Sequence, residues 1–255
     1  MKKFINPALL TVIVPFLGVI GFLLRLWTIG PGPDSEGLYP PQTLAWGLLA
    51  VCSVLATAVI LLGSLNLTKT GAYAHSYPKS LFGAIGYILA AAGILICAYK
   101  SISPANRVLD NITMVLGFLS GACMLAAGYF RFTGKKCPFI FHTVVAVYLA
   151  IRAFNRCQQW SNEPQIGIFL FSFLASLSLM LAMYQRTTFD VDLGKRSKSL
   201  FWSLLSVYLC LAALPREQEM LFYGGMAIWA MTNLCNTNPV PKTPAPEVEP
   251  ENTEE

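Results

Sequence analysis

Charge is what this chain has least of. Lys, Arg, Asp and Glu make up 12% of its 255 residues, against 55% hydrophobic. A soluble domain of this length commonly carries about 25% charged residues, so this composition does not supply a water-exposed surface. Histidine is nearly missing: only His75 and His142 occur, which leaves no His-rich metal site. There is no H-E-x-x-H and no G-x-S-x-G. Gly194-Lys195 runs into Arg196 and lacks the earlier P-loop glycine, as does Gly134-Lys135, so no ATP site is supported. Neither metal nor cofactor is expected. No nucleophile–base pair is visible, and an enzyme is the least supported reading. The seven cysteines show no C-x-x-C spacing and read as small buried hydrophobes.

What is present is apolar length. Eight charge-poor stretches lie at about 7–27, 42–65, 80–99, 108–130, 138–160, 165–186, 199–214 and 219–235. About 20 apolar residues rising 1.5 Å each cross a ~30 Å hydrocarbon core. The expected fold class is therefore all-α, a polytopic transmembrane helical bundle of about eight spans. The last two stretches offer only about 16 clean residues each, with Pro215 between them; a shallow hairpin is their alternative. Lys2 and Lys3 before an apolar run resemble a signal peptide. The run is too long for one and ends in Arg25 and Trp27 without an A-x-A site, so an uncleaved first helix is expected. Residues 237–255 are Pro- and Glu-rich without an apolar face and read as a disordered tail.

Lys and Arg concentrate in cytoplasmic loops. With the N-terminus inside, the inner segments hold twelve of the 18 basic residues, among them Lys69, Lys79, Arg131, Lys135, Lys136, Arg186, Lys195, Arg196 and Lys198. Most acids outside the tail fall on the other side. Both termini are thus expected in the cytoplasm, with a bacterial plasma membrane as the home. The net charge of +5 reflects this loop bias and not a nucleic-acid-binding face.

The two halves echo each other. Pro41-Gln42 and Pro164-Gln165 open the second and sixth spans; Lys79-Ser80-Leu81-Phe82 and Lys198-Ser199-Leu200-Phe201 open the third and seventh. Pro7 and Arg25 bracket the first span at the separation of Pro138 and Arg156 in the fifth. The order of these matches suggests two parallel four-helix repeats, 1–130 and 131–236.

The fifth span carries the most chemistry. His142, Arg152, Arg156 and Gln159 are spaced by roughly three and four through Val145 and Leu149, so they share one helical face. Arg152 lies about 21 Å along the helix from Pro138, short of the far edge of a ~30 Å core. Charges at such depth normally point into a bundle or a wet cavity. The candidate binding residues are Arg25, Arg152, Arg156 and Gln159. Planar guanidiniums suit a carboxylate or phosphate, and repeat symmetry would set Arg25 opposite the other two. The competing structural explanation is that these arginines snorkel or pair with Asp110, Glu163, Glu217 or Glu219. His142 alone reads as a hydrogen-bonded core residue. Gly117 and Gly121 form a G-x-x-x-G for helix packing. The five tryptophans read as an aromatic belt.

Two functional readings follow. One is a membrane protein that binds or transports a small anionic or amphiphilic solute through an outward-facing, Arg-lined pocket. The other is a non-catalytic membrane subunit or scaffold that assembles with other membrane proteins. In both, the lipid bilayer is the first partner.

Overall fold

The computed structural model describes residues 7–30, 43–65, 67, 72–101, 108–161, 166–215 and 219–238. Among these residues every regular element is helical: α1 Pro7–Ile29, α2 Thr43–Ser64, α3 Tyr73–Ser76, α4 Leu81–Lys100, α5 Val108–Thr133, α6 Phe139–Trp160, α7 Leu170–Asp190, α8 Arg196–Ala213 and α9 Met220–Thr232. A 3-10 turn, Ile166–Phe169, leads into α7. Both Pro-Gln pairs, Arg107, Glu163, Glu217 and the tail from 239 onward lie outside the described residues.

Hydrocarbon offers a backbone no hydrogen-bond partner, so each apolar run must satisfy its own amides as a helix. Local signals set the ends. The Ser80 hydroxyl accepts the Gly83 amide at 3.0 Å and caps α4. Gly134 follows α5 with φ +77, a left-handed conformation that costs glycine little.

All eight apolar stretches form helices, and five meet the length and apolarity of a crossing: Ala8–Ile29, Thr43–Ser64, Leu81–Lys100, Val108–Thr133 and Gly167–Asp190. The chain is thus a multi-span membrane protein with an all-α bundle. The other three long helices fall outside that set for separate reasons. α6 carries its polar stripe, α8 begins with Arg196 and Lys198, and α9 has only 13 residues. At 1.5 Å per residue α9 is about 20 Å long.

The helix neighbours trace a closed ring, α4–α5–α6–α7–α8–α9 and back to α4, with α1 and α2 packed on the outside of α8. Backbone-close contact seals the ring between α4 and α9. A Cβ on Gly93 would meet the Leu221 carbonyl oxygen at 2.6 Å, and one on Gly225 would meet that of Leu89 at the same distance. Gly117 and Gly121 of α5 serve the same purpose inside the chain, facing Ala98 and Leu95 of α4. Large apolar side chains such as Phe16, Leu44, Val54, Phe82 and Val115 are exposed, as a lipid-facing surface requires.

The tryptophans do not share one environment. Trp27 is exposed, but Trp160 and Trp229 are buried, Trp160 stacked on Phe169 at 4.9 Å and Trp229 edge-on to Tyr87 at 6.0 Å. Helical phase turns both of them inward, and nearness to a span end does not override it.

Candidate functional site

The stripe on α6 turns into the ring, and two polar clusters form along it. Near the far end of α6, Arg152 is 2% exposed. Its guanidinium donates to Oε1 of Glu219 at 3.0 Å and to the Ser176 hydroxyl at 3.4 Å. The Phe222 ring lies 3.7 Å from its central carbon, a cation–π contact at desolvated depth. One turn on, Arg156 reaches the same Oε1 at 3.0 Å and donates to the Gln159 side-chain oxygen at 2.9 Å.

Two guanidiniums therefore share one carboxylate oxygen. The other oxygen, Oε2, is buried and has no hydrogen-bond partner among the described residues. Glu219 is the residue before α9, where the positive end of the helix dipole favours an acid. Asp110, in the first turn of α5, does not join the arginines. Its Oδ1 accepts from the Asn155 amide at 2.9 Å and the Gln159 amide at 3.1 Å.

These groups border a cavity of about 200 Å³ lined by Lys100, Ser101, Asp110, Thr113, Arg152, Asn155, Arg156 and Gln159. Its described lining carries three cations and one acid; Glu219 behind the wall brings the group to a net +1. The structure thus brings together three of the four candidate residues, Arg152, Arg156 and Gln159. Arg25 does not line this cavity. Its guanidinium donates to the Ile168 carbonyl and lies 5.0 Å from the Trp46 ring and 5.4 Å from that of Phe171. α1 packs on α2 and α8, and Arg25 meets the start of α7 from that side.

The second cluster lies at the opposite end of α6. The Tyr87 hydroxyl is 2.7 Å from His142 Nε2, and His142 Nδ1 is 2.6 Å from Asp190 Oδ2. A neutral imidazole satisfies both contacts, donating from Nδ1 to the carboxylate and accepting the tyrosine proton at Nε2. Asp190 Oδ1 accepts from Arg186 at 3.1 Å, and the Arg186 guanidinium lies 3.8 Å from the Tyr77 ring. All four polar groups are buried. Around them Arg131 donates to the Pro78 carbonyl, Arg196 to the carbonyls of Asn236 and Asn238, and Lys136 pairs with Asp192. That hydrogen bond with Lys136 holds the exposed Asp192 carboxyl below its usual range. Burial pushes the thiols of Cys137 and Cys235 up, to about 12 and about 11. This cluster ties α4, α6 and α7 together.

The expectation for His142 as a hydrogen-bonded core residue agrees with this geometry. Its partner Asp190 lies beyond the expected end of the sixth span near 186. α7 runs on to Asp190, and the Arg-x-x-x-Asp spacing of 186 and 190 was the sequence signal for a helical ion pair. Compared with known proteins, the chain matches no family profile, no curated protein sequence and no solved structure.

Proposed function

We propose that this chain binds a small anionic or amphiphilic solute in the cavity between α4, α5 and α6 and carries it across the membrane. The observation that supports this most is the sharing of one Glu219 oxygen by Arg152 and Arg156 at 3.0 Å each. One carboxylate cannot neutralise two guanidiniums, so an arriving anion finds an uncompensated charge at the cavity floor. Arg156, less buried than Arg152, is the group a solute carboxylate reaches first. Competition between that solute and Glu219 for Arg156 would loosen the link between α6 and the start of α9. Arg25, in this account, supports the α1–α7 contact and binds no solute in this cavity.

The full reading has eight crossings, a plasma-membrane home and both termini on the cytoplasmic side, so that the cavity opens outward. The two-repeat origin is part of the same proposal. The α1–α2 pair answers to α6–α7 and the α4–α5 pair to α8–α9; the α7–α8 contact has no comparable α2–α4 contact. Superposition of 1–130 on 131–236 by rotation near the membrane normal is the measurement that decides it.

Equilibrium binding of radiolabelled butyrate and inorganic phosphate to the full chain in nanodiscs tests the site. Arg156→Gln is expected to weaken anion binding at least tenfold while the protein stays folded. Uptake into proteoliposomes then separates transport from binding. If neither these anions nor any other small carboxylate-bearing solute binds the parent chain, the solute reading fails. The subunit reading is then favoured by α2, an apolar helix with only 22% of its span buried, whose free face would seat a partner helix.

A further inference from the structure

The cavity wall contains an acid as well as cations, and the handling of that acid narrows the solute. We propose that the solute is a small zwitterion carrying one carboxylate and one ammonium, of the free amino-acid class; this rests on the reading that the cavity binds a small solute.

A site built only for anions would turn its neutral amide donors toward the anion. Here the side-chain amides of Asn155 and Gln159 are instead spent on Oδ1 of Asp110, at 2.9 and 3.1 Å. They hold that carboxylate in the cavity wall. Its Oδ2 has no partner, and no cation lies within ion-pair distance of Asp110, among the described residues. Lys100 lines the same cavity, is exposed, and makes no ion pair among the described residues.

The lining therefore offers two charges of opposite sign that make no ion pair among the described residues. Asp110 on α5 suits an ammonium. Lys100, with the reachable edge of Arg156, suits a carboxylate. A zwitterion fills both and leaves the net charge of the site unchanged. A monocarboxylate leaves Asp110 unanswered and facing a like charge. A dicarboxylate sets its second group against Asp110 or Glu219. An amine alone meets the arginines. Such repulsion is how a polar site selects among solutes of one size. The volume, about 200 Å³, lies below the ~300–1,000 Å³ of drug-sized sites and limits the solute to a small molecule.

The test uses the full chain in nanodiscs and needs no variant for its first arm. Calorimetry measures binding of free amino acids from glycine to leucine. Each is paired with the carboxylate lacking the amine and the amine lacking the carboxylate; for leucine these are 4-methylpentanoate and 3-methylbutylamine. At least one amino acid is expected to bind tenfold or more tightly than both analogues. Asp110→Asn is expected to erase that preference while the carboxylate still binds, with Asp110→Glu restoring part of it. Carboxylates that match or beat their amino acids, with Asp110→Asn without effect, overturn the zwitterion and leave a simple anion site. No binding in any arm overturns the solute reading itself.

Discussion

Replacing Glu219 by Gln removes a charge while keeping the shape of the side chain. The amide oxygen can take the Oε1 position, 3.0 Å from both Arg152 and Arg156, and the amide nitrogen the Oε2 position, which has no hydrogen-bond partner among the described residues. The change therefore isolates the countercharge. Removing one partner of a buried ion pair costs about 3–5 kcal/mol, because the other is left charged in a low dielectric. Arg152, at 2% exposure, should feel the full effect; Arg156 is partly solvated and adds little. The Phe222 ring at 3.7 Å remains and contributes up to ~2 kcal/mol as a desolvated cation–π contact. These terms place Glu219→Gln near the lower end, about 3 kcal/mol. For a chain of this size that lowers Tm by about 6–12 °C, readable by tryptophan fluorescence in detergent. Adding Arg152→Met should recover most of the loss, since a buried pair exchanged for apolar groups is often neutral or better. A Glu219→Gln melting point within about 2 °C of the parent would refute the reasoning and make Arg152 a hydrated side chain.

Other consequences are simpler to read. Gly225→Ala should destabilise by about 1–3 kcal/mol, because its Cβ meets the Leu89 carbonyl at 2.6 Å, whereas Gly47→Ala, with nothing within 4 Å, should be neutral or stabilising in the same melt. Tyr87→Phe strands the Nε2 acceptor of His142 at a cost of about 1–3 kcal/mol; solute affinity measured at a temperature where it stays folded should be unchanged. At pH 8, alkylation followed by peptide mass mapping should modify the exposed Cys157 and spare Cys137 and Cys235. Burial raises both of those thiols, to about 12 and about 11, so they stay protonated and unreactive.

The helices were legible because hydrocarbon leaves the backbone one solution, and charge-poor runs of about 20 residues announce it. The inward face of α6 was legible for a similar reason: Arg152 and Arg156 recur at helical spacing at a depth where lipid exposure is costly. Their partner was harder to read. Asp110, Glu163, Glu217 and Glu219 were equally near in sequence terms; among the described residues, the placement of α9 brings Glu219 and not Asp110 to the arginines. That placement depends on backbone contact at Gly93 and Gly225, which no periodicity reports. Arg25 was assigned to the cavity through repeat symmetry. Its surroundings, Trp46, Phe171 and the Ile168 carbonyl, depend on α1 lying outside the ring. The Tyr87–His142–Asp190–Arg186 chain joins four residues from three helices, and apart from the 186–190 spacing nothing local links them.

The claim that a water-reachable, anion-attracting cavity sits within the bundle is tested most directly at Thr113. Its side chain lines the cavity and is 5% exposed. In a Cys157→Ser background, Thr113→Cys is reacted in nanodiscs with water-soluble methanethiosulfonates of either charge. The account predicts reaction with both, at least several-fold faster for the anionic reagent, and the bias should vanish in Arg156→Gln. A cysteine that stays unmodified, or that reacts faster with the cationic reagent, would contradict it.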